Sequence, residues 1–219
     1  ASGLIVLALY LLFVPYGKEE KHHEAHQEGK GLTAAQWFLT IGLALVAAVI
    51  VLTNVVINVR VPGLVEKSGM GSVQTAGLIL STMQLIGIAA GLSFAPLLHY
   101  FKENLLTVAG VAFGLTSIMI GLAPNLLLLS VVTIASGFVY SVSLTAIFHI
   151  LSERIPSKSL NQATSIVILG CSAGATATTF FLSLISQFSS QASFIFGVLG
   201  SLMVLMAVLA FGILKKKSA

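Results

Sequence analysis

Six stretches of this chain are long and apolar enough to cross a lipid bilayer, which leaves very few folds open to it. A crossing helix needs about 20 mostly apolar residues. Residues 36–60, 74–98, 105–123, 126–150, 161–187 and 193–214 meet that requirement. Within hydrocarbon every backbone N–H and C=O must find its partner inside the protein, so only helices and closed barrels can span. Barrel strands alternate polar and apolar residues over about ten positions. These stretches are continuously apolar and far longer, so the expected class is an all-α, polytopic membrane bundle. Composition agrees: 57% of residues are hydrophobic and 8% are charged, against about a quarter charged in a soluble domain.

The connections between these stretches are short and polar, and a further, shorter apolar run precedes them. A run from Gly3 to Tyr16, closed by Pro15, is too short to span. No Lys or Arg stands ahead of it as a signal peptide would require. The expectation is the tail of a truncated helix over 1–16, a charged linker over 17–35, a six-helix body over 36–214 and a basic tail over 215–219. Pro62 to Val73 is expected to be a loop, as are His99–Asn104, Pro124-Asn125, Ser152–Ser159 and Ser189–Ala192. The single cysteine, Cys171, excludes an intrachain disulfide. The net charge of +4 comes from basic residues scattered between apolar runs. Without a basic stripe interleaved with aromatics, no nucleic-acid partner is expected.

The basic residues instead set an orientation, because Lys and Arg accumulate on the cytoplasmic side. Alternate connections put Lys18, Lys21, Lys30, Lys102, Arg154, Lys158, Lys215, Lys216 and Lys217 on one side, and only Arg60 and Lys67 on the other. The linker and the C-terminus are therefore expected in the cytoplasm of a cell whose plasma membrane holds the protein.

Two connections carry a family likeness. One is GLSFAPLLHYFKENLL, from Gly91 to Leu106; the other is the basic, Pro-containing turn SERIPSKSLNQATS, from Ser152 to Ser165. With the order of a helix tail, a charged linker and six helices, the chain resembles the C-terminal half of a major facilitator superfamily transporter. Within that superfamily it looks nearest to bacterial drug or small-solute exporters. In the first turn Gly91, Lys102 and Glu103 stand where the family often has Gly, an acid and a basic cluster, and the acid and the cluster are missing. The resemblance implies two inverted three-helix repeats facing an N-terminal six-helix half across a central cavity. It implies secondary transport of a small organic solute by alternating access, with efflux coupled to protons through the other half. A non-transport membrane module, acting as an assembly subunit or receptor, is the other class that fits.

Polar side chains inside spans point to function, since each needs a partner or a wet cavity. Asn54 and Asn58 share a face of the first helix, beside Thr53. Gln84 sits mid-way along the second. Ser136, Tyr140 and Ser143 form a stripe on the fourth, which ends near His149; Thr176, Thr178 and Thr179 are on the fifth. The resemblance makes the first, second, fourth and fifth helices cavity-lining, so Asn54, Asn58, Gln84, Tyr140 and Ser136 are the candidate substrate-binding residues. The competing expectation is that the amides bridge helices and that Ser and Thr bond back to their own helix. Arg60 is expected to reach headgroups or water with its long stem, and His149 to be a partly solvated helix-end residue. Gly87 with Gly91, Gly170 with Gly174, and Gly197 with Gly200, together with Gly77, are expected to pack helices closely.

All seven acids are Glu, and none lies well inside a span, so these helices carry no carboxylate for proton coupling. No enzymatic chemistry is expected. Ser136-Gly137 lacks the Gly two residues earlier that an intramembrane serine protease needs, and His149, on the same helix, is about 20 Å away. His22, His23 and His26 lack the HExxH zinc spacing because Gln27 replaces the second His. Neither metal nor cofactor is expected.

Overall fold

The computed structural model describes residues 32–215. The expectations for the truncated helix tail, most of the charged linker and its histidines, and Lys216 and Lys217 lie outside the described residues.

All regular structure among the described residues is helical. The helices are α1 (Ala34–Lys67), α2 (Val73–Phe101), α3 (Leu105–Leu122), α4 (Leu126–Arg154), α5 (Ser157–Ser186) and α6 (Ala192–Lys215). Capping fixes several starts. The Thr33 and Gln36 side chains form a capping box at α1, and Asn125 Oδ1 accepts from the Leu128 N–H at 2.9 Å at α4.

Two expected loops are corrected. Pro62 does not end α1, which continues through it to Lys67, and α2 likewise passes through Pro96. Proline removes one N–H donor, a loss that packed membrane helices absorb through their neighbours. The loop expected over Ser152–Ser159 shrinks to Ile155 and Pro156. Ile155 is extended, with φ −110° and ψ 129°, as a residue before proline prefers.

Five helical stretches are long and apolar enough to cross a membrane, with Val73–Leu122 counted as one. That stretch is broken by a 3₁₀ turn at Lys102–Asn104, where Lys102 takes φ 50° and ψ −129°. Leu97 and Ala112 then line one groove together with Val139 and Val142 of α4. A straight helix would hold Leu97 and Ala112 roughly 22 Å apart, so the chain turns back at Lys102. A side chain at that φ is strained. Lys102→Gly is expected to stabilise the protein by up to about 1 kcal/mol, read as a higher Tm in detergent.

Three helix pairs pack most extensively: α3 on α6, α1 on α5, and α2 on α4. Each pairing closes on glycine, as expected where dispersion and close backbone approach replace the hydrophobic effect. Gly170 and Gly174 of α5 lie against the backbone of Ala44 and Ala48 in α1. Gly114 and Gly200 meet each other's carbonyl oxygens between α3 and α6. Gly137 of α4 rests on the Met83 backbone, and Gly87 of α2 sits against Ser141. The expected glycine pairs are corrected in part. A Cβ at Gly77, Gly91 or Gly197 would meet nothing within 4 Å, so only Gly87, Gly170, Gly174 and Gly200 of that set pack closely. α1 occupies the centre, with Ala47, Ile50, Val56, Ile57, Val61 and Val65 fully buried.

Candidate functional site

The bundle treats its intramembrane polar groups in two ways. Most hydroxyls donate to a carbonyl of their own helix: Thr53 to Val49, Ser136 to Thr133, Ser143 to Val139, and Thr178 to Gly174. These bonds satisfy the hydroxyl proton without a partner helix. Ser136 is fully buried, so it faces the interior of the bundle. Asn54 is also buried, and its Oδ1 has no hydrogen-bond partner. Asn58 is half-buried and donates through Nδ2 to the Asn54 carbonyl at 2.8 Å. Tyr140 is half-buried, with its ring centroid 6.0 Å from that of Phe113. Gln84 is exposed on α2. The five candidates are thus not one cluster on one surface.

A different polar surface emerges on α5. Ser165, Ser172, Thr176, Thr179 and Ser183 are all exposed, and their spacing of three, four or seven residues places them along one face of the helix. Thr176 donates to its own helix at Ser172 and Ala173, Ser165 donates to Asn161, and both oxygens keep lone pairs free to accept. α5 is the least apolar of the five membrane-length stretches and also the least buried. On α2, Ser81 and Gln84 are exposed among the large exposed apolar side chains Leu78, Leu85, Ile88 and Leu92. The periodicity of Ser and Thr on α5 was visible in the sequence. Tendency alone, however, cannot distinguish a hydroxyl facing outward from one packed inward, like Thr178.

The charged groups gather at the two ends of the bundle. At one end the α2–α3 turn meets the end of α4: Glu103 pairs with Arg154 at 3.8 Å, and His149 Nε2 lies 3.4 Å from Glu153 Oε1. His149 also packs edge-on against Phe94, with ring centroids 5.8 Å apart. Its side chain is 28% exposed, as expected for a residue near a helix end. A cavity of about 290 Å³ among Lys102, Glu103, His149, Glu153 and Arg154 contains both signs of charge and neutralises itself. At the other end the C-terminal ends of α1 and α5 meet the start of α6 around Arg60 and Lys67. No group of three or more His, Cys, Asp or Glu residues suited to a metal occurs among the described residues.

No protein-family model, curated protein or solved structure matches this chain. What the fold defines is therefore a class: an all-helical bundle whose long apolar helices suit a membrane.

Proposed function

We propose that the chain is the C-terminal half of a secondary active transporter of the major facilitator type. It moves a small organic solute across the plasma membrane by alternating access, with the linker and C-terminus in the cytoplasm. The observation that carries this reading is the inversion at α5. In a bundle surrounded by lipid, the least apolar helix should be the most buried. Here it is the least buried, and its Ser and Thr face suits a wet cavity or a polar protein wall better than lipid. Gln84 and Ser81, exposed on α2, give that cavity a second side, and a facing six-helix half closes it.

The packing supports the inverted-repeat part of the reading. Exchanging α1 with α4, α2 with α5 and α3 with α6 turns the α1–α5 pair into α4–α2 and returns α3–α6 to itself. A two-fold relation between α1–α3 and α4–α6 is what inverted repeats produce. The turn at Lys102 and the meeting of charged groups at opposite ends favour six crossings. Export of a drug-like solute, with protons coupled through the other half, is the finer form of the proposal. Gln84, with the outward hydroxyls of α5, becomes the preferred lining. Asn54, Asn58, Tyr140 and Ser136 lie deeper in the bundle.

Cysteine accessibility tests the cavity without knowing the solute. In a Cys171→Ser background, Thr176→Cys and Gln84→Cys in native membranes should react with a water-soluble maleimide at least roughly ten-fold faster than Leu115→Cys, because only a hydrated thiol ionises. Leu115 is exposed on α3, a helix outside the proposed cavity. Equal, slow labelling at all three positions would remove the cavity.

A further inference from the structure

We infer that the end of the bundle carrying Arg60 and Lys67 is a binding site for an anionic, phosphate-bearing amphiphile, a role separate from the solute cavity and independent of the transport reading. A cavity of about 490 Å³ opens there between the ends of α1 and α5 and the start of α6, a size typical of ligand sites. Arg60 and Lys67 are seven residues apart on α1, so both project from one face into this space. Neither has an acidic partner lining the cavity, and Glu66, adjacent in sequence, is not part of the wall.

The Arg60 Nε is shut off from solvent and has no hydrogen-bond partner. A guanidinium N–H in that state is costly and is best met by an anion able to take its fork. Ser190 and the first N–H groups of α6, free of helix partners, add donors where the helix dipole favours negative charge. Ser68 adds none, because its hydroxyl donates to the Leu64 carbonyl. The remaining wall is apolar, including Val59, Leu182 and Phe196. Two cations with a donor-rich helix start select a phosphate, and the apolar wall at a helix end selects one attached to hydrocarbon. An anionic phospholipid headgroup meets both needs; a zwitterionic one brings its own cation against Arg60 and Lys67, and free phosphate lacks the hydrocarbon.

The test uses the purified protein in a neutral detergent, with its Tm followed on addition of dioleoylphosphatidylglycerol, dioleoylphosphatidylcholine or inorganic phosphate. The phosphatidylglycerol should raise Tm by about 3 °C or more, while the zwitterionic phosphatidylcholine should have little effect. The shift should fall by more than half in Lys67→Gln and in Arg60→Gln, and persist in Lys102→Gln at the opposite end. Lys67 is exposed, so its variant will fold. A shift with inorganic phosphate, lost in the same two variants, identifies the free anion as a source. The site is overturned if phosphatidylcholine matches phosphatidylglycerol, if the shift survives in the double variant, or if no probe moves Tm.

Discussion

Gly174→Leu is expected to prevent the bundle from assembling, while Gly91→Leu leaves it folded. Both are glycines on apolar helices within a four-residue repeat, and only their surroundings separate them. A Cβ at Gly174 would overlap the carbonyl group of Ala48, and one at Gly170 would come within 2.5 Å of the Ala44 oxygen. The obstacle in each case is backbone at the centre of α1, which cannot rotate aside as a side chain would. Overpacking a close contact costs about 1–3 kcal/mol even where side chains can adjust, and a leucine here should exceed about 3 kcal/mol. The expected result is loss of the monodisperse peak on size-exclusion chromatography in mild detergent. At Gly91 nothing stands within 4 Å, and its variant should elute as wild type with a stability change within about 0.5 kcal/mol. Equal damage from both substitutions would mean that α1 and α5 do not meet along these glycines.

Asn54 gives the second large effect, and its sign depends on the replacement. Its Oδ1 is buried without a partner, so the native residue already carries an unmet acceptor. Asn54→Leu replaces that group by hydrocarbon of similar volume and should stabilise the protein by about 1 kcal/mol. Asn54→Asp puts a charge in the same place with nothing to pair it, at a cost of about 3–5 kcal/mol. Thermal melts of the two variants should move in opposite directions. If Asn54→Leu is strongly destabilising, the amide is bonded to something in the assembled protein, which would return Asn54 to the cavity wall.

The sequence alone places the apolar body of each helix, because hydropathy over about 20 residues is a strong signal, but not every helix end. It misplaces the end of α1 at Pro62, since in water a proline there would end a helix, whereas a helix packed against all five others tolerates the missing donor. Four-residue glycine spacing gave the faces but not the neighbours: Gly87 and Gly91 look alike until Ser141 is seen opposite only one of them. Side-chain polarity within the spans favours Asn54 and Asn58 as site residues. The exposed α5 hydroxyls, individually uninformative, gained meaning only once α5 was found on the outside. The Arg60 and Lys67 pocket depends on three chain segments distant in sequence, and no local pattern announces it.

The position of the charges also determines how the bundle responds to an electric field. Among the described residues, every Lys, Arg and Glu lies within about two turns of a helix end. Moving one elementary charge through a potential of 100 mV is worth about 2.3 kcal/mol. On the proposed transport reading, a rocking of these helices would carry no such charge through the hydrocarbon, and membrane voltage would do little work on it. If the proposed transport is right, any voltage dependence of it would then measure the charge of the solute, or of groups outside these helices.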